Sequence, residues 1–158
     1  MKNNYRKNIG SVSEGTLRAE DLHSAFISEL ESQKPLRKEH RKLLREIQER
    51  LDAAEILGVN YFEILEGEQA SEDLEELENA LSDYCLPYFY FGAQSGDGAC
   101  FGFWLSESFP EEFEGLKVSD TSEVPTGYTG EVLHINDHGN CTLYACTRGR
   151  LREIWAVV

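Results

Sequence analysis

The hydrophobic period of this chain changes once, at Pro87, and that change restricts the fold more than any other feature. Before it, apolar residues recur at helical spacing. Leu22, Phe26 and Leu30 fall at i, i+4 and i+8 behind Asp21, a predicted N-cap. Ser32-Gln33-Lys34-Pro35 interrupts the row, because proline disfavours helix in the residue before it and suits the first turn of the next. Leu36, His40, Leu43, Leu44, Ile47, Leu51 and Ala54 then predict a long second helix, with Gly58 as its C-cap. Val59–Leu65 fits a short strand or a helical turn. A third helix is expected from an N-cap at Ser71, with Leu74, Leu77, Leu81 and Tyr84 facing inward.

After Pro87 the runs are short and rich in aromatic or β-branched residues. Leu86–Phe91 and Cys100–Leu105, joined through the turn residues Gly96, Asp97 and Gly98, predict a β-hairpin. Phe109, Phe113 and Leu116 mark one or two helical turns, and residues 117–130, with Pro125, Gly127 and Gly130, read as loop. Glu131–Asn136, Cys141–Thr147 and Leu151–Val158 follow as an antiparallel meander. Helices first and strands afterwards means α+β, here with about five strands. A length of 158 residues suits one domain. Residues 1–20 lack an apolar period and are expected to form a flexible arm. The domain is expected over 21–158, helical over 21–85 and mainly strand over 86–158.

Charge is the first functional clue. The formal net charge is −14, and it is segregated: residues 1–57 are nearly balanced, whereas between 58 and 147 Lys117 is the one basic residue among 18 acidic ones. A field of that sign repels phosphate backbones and anionic lipid heads and attracts basic partners, so direct nucleic-acid or membrane binding is not expected. The second helix interleaves Arg37, Lys38, Arg41, Lys42 and Arg45 with Glu39, Glu46, Glu49 and Asp52, which reads as a solvated, self-paired face. The third helix differs. Its outward residues Glu72, Glu75, Glu76, Glu78 and Asp83 are of one sign and are expected to lack basic partners, a mildly unfavourable arrangement that suggests a use.

Candidate chemistry is sparse. Gly96, Gly98 and Gly102 do not have the spacing of a phosphate-binding loop, and a strand follows where a helix N-terminus would be needed. His134 and His138 lie on a strand running into a turn, without a ligand set at defined spacing, so no metal and no cofactor is expected. Cys141 is near Asp137 and His138 in sequence, but strand cysteines generally behave as small buried hydrophobes. Cys141 and Cys146 differ by an odd number and should face opposite sides of their strand. The four cysteines form no dense framework, no apolar run reaches the roughly 20 residues of a bilayer crossing, and no apolar h-region follows the basic start. A cytoplasmic protein is therefore expected.

The strand half resembles a known family. Tyr88-Phe-Tyr-Phe-Gly-Ala, then Gly96-Asp-Gly98, then Phe101-Gly-Phe-Trp104 is similar to the signature hairpin of the SUKH superfamily. Ile135–Tyr144 and the closing Ile154-Trp-Ala-Val-Val158 resemble that group's final strands, so the likeness covers roughly residues 70–158. It implies helices packed on a twisted antiparallel sheet and a non-catalytic role, many members being bacterial immunity proteins that neutralise toxins, frequently nucleases. The expected function is therefore an acidic binding protein that occludes a basic toxin or nuclease domain. Contacts are expected from Glu72, Glu75, Glu76, Glu78, Glu111, Glu112 and Glu114, with Tyr88, Tyr90 or Trp104 as aromatic anchors and Gly96, Asp97 and Gly98 as turn residues. The alternatives are a phosphate-mimicking inhibitor of a DNA-handling enzyme and an enzyme built on His134, Asp137, His138 and Cys141.

Overall fold

The computed structural model describes residues 8–158, which divide into two compact units, 8–106 and 107–158. The first contains strand β1 (Gly10–Ser13), helices α1 (Ala19–Ser32), α2 (Lys38–Leu57) and α3 (Glu68–Ser82), and strands β2 (Phe89–Gln94) and β3 (Asp97–Leu105). The second contains α4 (Phe109–Glu112) and strands β4 (Leu116–Val118), β5 (Gly130–Ile135), β6 (Cys141–Thr147) and β7 (Arg150–Val157). The chain is α+β, and the strands of the described residues form two sheets, one of three strands and one of four.

In the first unit the expected hairpin is present and the helices pack on it. Phe91 lies opposite Phe103 in the β2–β3 register, and Phe26 of α1 meets Phe91 edge-on at 5.0 Å. Leu22, Leu30, Leu43, Ile47, Leu77 and Leu81 complete this core from the helical rows read in the sequence. The tight turn falls at Ser95-Gly96, so Asp97 and Gly98 begin β3, where Asp97 Oδ1 accepts the Ala99 amide at 3.1 Å. Residues 10–13, expected within a flexible arm, form β1 and pair with β3; residues 1–7 lie outside the described residues. Gly102 explains the close fit of that pair. A Cβ there would sit 2.2 Å from the carbonyl oxygen of Gly10, so only glycine admits β1 at this register.

Helix boundaries moved where other groups took the cap. α1 begins at Ala19, one turn earlier than a cap at Asp21 would give, and the Asp21 carboxylate instead accepts the Thr16 hydroxyl at 2.7 Å. α2 ends at Gly58 in the left-handed conformation, as expected. α3 begins at Glu68 after a left-handed Gly67, which places Ser71 inside the helix. The ambiguous segment is a 3₁₀ turn over Tyr61–Gly67, broken by non-helical backbone at Ile64, Leu65 and Glu66.

In the second unit β5, β6 and β7 form the expected meander, and β4, made of Leu116, read as part of a helical turn, and the first two residues of the segment read as loop, pairs with β5 in parallel. Three residues containing Lys117 carry too little pattern to announce such a strand. Both faces of the sheet are covered. Leu133, Leu143 and Trp155 align across β5, β6 and β7, and Trp155 meets Phe109 of α4 at 5.5 Å. On the other face Val132 and Cys146 pack with Val118, Val124 and Tyr128. Cys141 and Cys146 are both buried and free. Among the described residues no helix is long and apolar enough to cross a membrane.

Candidate functional site

α3 carries carboxylates on two sides, and the structure treats them differently. With the helix starting at Glu68, Asp73 falls on the inward row of Ala70, Leu77 and Ala80 and is 1% exposed. A carboxylate there needs compensation. Arg50 of α2 donates to both of its oxygens, at 3.0 and 2.6 Å, Gln69 Nε2 donates at 3.1 Å, and the Tyr61 hydroxyl donates as well. Hydrogen bonding to Asp73 raises the Arg50 pKa against the opposing effect of burial. Burial first, then the bond to Asp73, pushes the Tyr61 phenol well up. His23 supports the same corner, with Nε2 2.6 Å from the Ala70 carbonyl oxygen and its ring edge-on to Tyr61 and Phe62. This network fixes α2, α3 and the turn between them.

The opposite side holds the residues singled out for binding. Glu72, Glu75 and Glu76 are exposed and Glu78 is half-buried, and none forms an ion pair with a described residue. Asp83, expected to share that condition, does not: it pairs with Arg37 at 3.1 Å and with His40 Nε2 at 3.1 Å. The helical period placed Asp83 outward correctly; the packing of α2 against the end of α3 then brought it a cation.

Glu78 is the member of the row that meets the sheet. A methyl group built on Gly92 of β2 would lie 3.4 Å from Glu78 Oε1 and 3.7 Å from the Tyr90 ring, so carboxylate and ring flank one point on the strand. Burial, and secondarily the Glu75 carboxylate, hold the Glu78 carboxyl above its ordinary range. Tyr90 lies opposite Trp104 in the β2–β3 register. The Tyr90 hydroxyl donates to the Ala93 carbonyl at 3.1 Å, and Trp104 Nε1 donates to the Gly92 carbonyl at 3.1 Å. Both polar handles are thus tied to the hairpin's own backbone, and both residues remain half-buried beside Gly92. Tyr88 is 41% exposed with φ at 69°, and its carbonyl accepts the Ser106 amide where the hairpin closes. The arrangement sets an acidic helix face beside an aromatic strand pair, a combination that suits a cationic group.

The other sequence candidates belong to the second unit. Glu111, Glu112 and Glu114 are exposed in and after α4, in the second unit. In that unit His134 Nε2 is 3.0 Å from the Ser119 carbonyl oxygen, and His138 is exposed on the turn whose Asn136 Oδ1 accepts its amide. Cys141 makes its Sγ contact with the Gly139 carbonyl at 3.7 Å, and burial pushes its thiol up. No hydrogen bond joins Cys141 to either imidazole, and among the described residues no group of three or more His, Cys, Asp or Glu side chains is placed to hold a metal. Lys38, Glu39, Arg41, Lys42 and Arg45 line an open depression on α2, where Lys42 pairs with Glu46 at 3.4 Å. Comparison with family models, with curated proteins and with solved structures gives no match.

Proposed function

We propose that this chain is a non-catalytic binding protein that docks its acidic α3 face on a basic protein, in the manner of an immunity protein occluding a toxin or nuclease domain. The observation that carries the reading is the retention of Glu72, Glu75, Glu76 and Glu78 without cationic partners among the described residues, with Glu78 half-buried against Gly92 and Tyr90 although burial opposes its charge. A carboxylate kept where its ionisation is disfavoured is stabilised when a cation arrives. Tyr90 and Trp104 supply flat apolar surface beside it. The resemblance of residues 70–158 to the SUKH superfamily supports the same class of function.

The test is recovery of the partner from the native host, followed by association kinetics at several salt concentrations. A cationic partner is expected, with an association rate that falls about tenfold or more between low and moderately high salt. The triple charge reversal Glu72→Lys, Glu75→Lys, Glu76→Lys should reduce that salt dependence and weaken binding. An acidic partner, or a rate indifferent to salt, overturns the reading. A complex that duplex DNA displaces from an unrelated DNA-handling enzyme would point instead to phosphate mimicry.

A further inference from the structure

Deepening that reading, and resting on it, a second feature of the same unit specifies the shape of the partner. The apolar residues of α2 outlast its buried row: Ala54 is its last buried residue, yet Ile56 is 85% exposed and Leu57 74%. Val59 and Ile64 are also open to solvent, and Leu65, in the turn that follows, is 73% exposed. Five large aliphatic side chains within ten consecutive positions are thus left uncovered. Scattered exposed leucines need no explanation, but five large aliphatic residues left open along one short segment call for one.

At the far end of this segment the backbone itself is unusual. Leu65 and Glu66 stand at φ 51° and 56°, a left-handed conformation that residues with side chains avoid. The turn is clamped at its start: Asn60 Oδ1 accepts the Phe62 amide, and Tyr61 is tied to Asp73. Strain of this kind persists where the surroundings over-determine it.

The rim decides the occupant. Glu55, Glu63, Glu66 and Glu68 are all exposed, and none has an ion-pair partner among the described residues. Arg50, the basic residue of the adjoining α2 turn, is committed to Asp73. The row continues along α3 through Glu72 and Glu75. A second copy docking by the same patch would oppose identical carboxylates, and an anionic bilayer would be repelled. We infer that the exposed Ile56–Leu65 surface, with its unpaired glutamate rim, is a docking site for a cationic amphipathic helix of the partner protein. The apolar face of that helix covers Ile56, Leu57 and Leu65, and its Lys or Arg residues reach the rim and the start of the α3 row.

The probe is a labelled amphipathic peptide of leucine and lysine, about 18 residues or five helical turns long. Its control has the same lysines, with serine and glutamine in place of leucine. Fluorescence anisotropy at low salt should show the amphipathic peptide binding at least about tenfold more tightly than the control. Leu65→Gly suits the left-handed backbone, so it keeps the fold while removing the anchor; it and Ile56→Ser should each reduce the amphipathic peptide to the control's affinity. The charge-reversed α3 variant should weaken both peptides.

Equal binding of the two peptides, both weakened by charge reversal, overturns the apolar docking site and leaves the acidic-face reading standing. Binding of neither peptide at low salt overturns both. Self-association in sedimentation that Leu65→Gly abolishes would assign the patch to a second copy, and Leu65-dependent binding to phosphatidylcholine–phosphatidylglycerol vesicles would assign it to a membrane. Either result replaces the inference.

Discussion

Asp73 and Glu78 stand on one helix, and the contrast between them separates structure from use. Asp73 is enclosed and answered by Arg50, Tyr61 and Gln69. Glu78 is half-enclosed, has a second carboxylate for a neighbour, and receives no cation from any described residue. Burial penalises an ionised carboxylate in both places. Where the chain supplies the compensation itself, the charge holds elements together. Where it withholds compensation, the charge remains available to a visitor. The same distinction separates Asp83, the C-cap of α3 paired with Arg37 and His40, from Glu72 and Glu76 within that helix.

The contrast can be broken most forcibly at Asp73. Asp73→Ala leaves Arg50 and the Tyr61 hydroxyl without their partner, and equilibrium urea unfolding should show a loss of about 3 kcal/mol, the low end for a broken buried pair because Arg50 keeps access to water. Amide exchange at Phe62 and Glu63 should accelerate with it, since the turn loses its clamp. Tyr61→Phe deletes one hydrogen bond and keeps the packing with Ala54 and Ala70; about 1 kcal/mol is expected in the same measurement.

Glu78 should behave in the opposite sense. Its carboxyl titrates higher in the folded chain than the ordinary 4.5, so the native state binds the additional proton and stability declines as the pH rises through that interval. Glu78→Gln cannot ionise. It should be at least as stable as the parent at neutral pH, with the difference vanishing below about pH 4, while binding of a cationic partner weakens. Thermal unfolding across pH checks the sign, and a Gln variant less stable than the parent at neutral pH would remove the distinction between the two carboxylates. The smallest effect is expected from Glu75→Gln, which relieves part of the upward push on Glu78 and should shift its NMR titration midpoint downward with little change in stability.

Much of this was legible in the residues. The rows of α1, α2 and α3, the β2–β3 hairpin and the final meander all follow from spacing, because burial along an element is a local periodicity. Glu72, Glu75, Glu76 and Glu78 could be named for the same reason. What escaped was set by contacts between distant segments. With Ser71 as the cap, Asp73 falls in the first turn of the helix; the observed start at Glu68 places this carboxylate on an apolar row, the signal that a buried cation is waiting elsewhere. Gly92 gave no hint that it would seat Glu78 beside Tyr90, because that meeting is made by α3 crossing β2. The division of the strands into two sheets was likewise invisible, since neither the pairing of β1 with β3 nor the parallel step from β4 to β5 leaves a mark within a short window.

The place of β1 has a practical side. In the order β1–β3–β2 it is the edge strand that occupies the outer amides and carbonyls of β3, and Gly102 leaves room for nothing bulkier. A chain shortened to begin after Ser13 would keep every helix and both hairpin strands yet expose a long, aromatic-rich ribbon to any strand that could zip onto it. Its first failure would be clumping rather than unfolding, and the four residues Gly10–Ser13 therefore act as a selvage that keeps the fabric of this sheet from being extended by its neighbours.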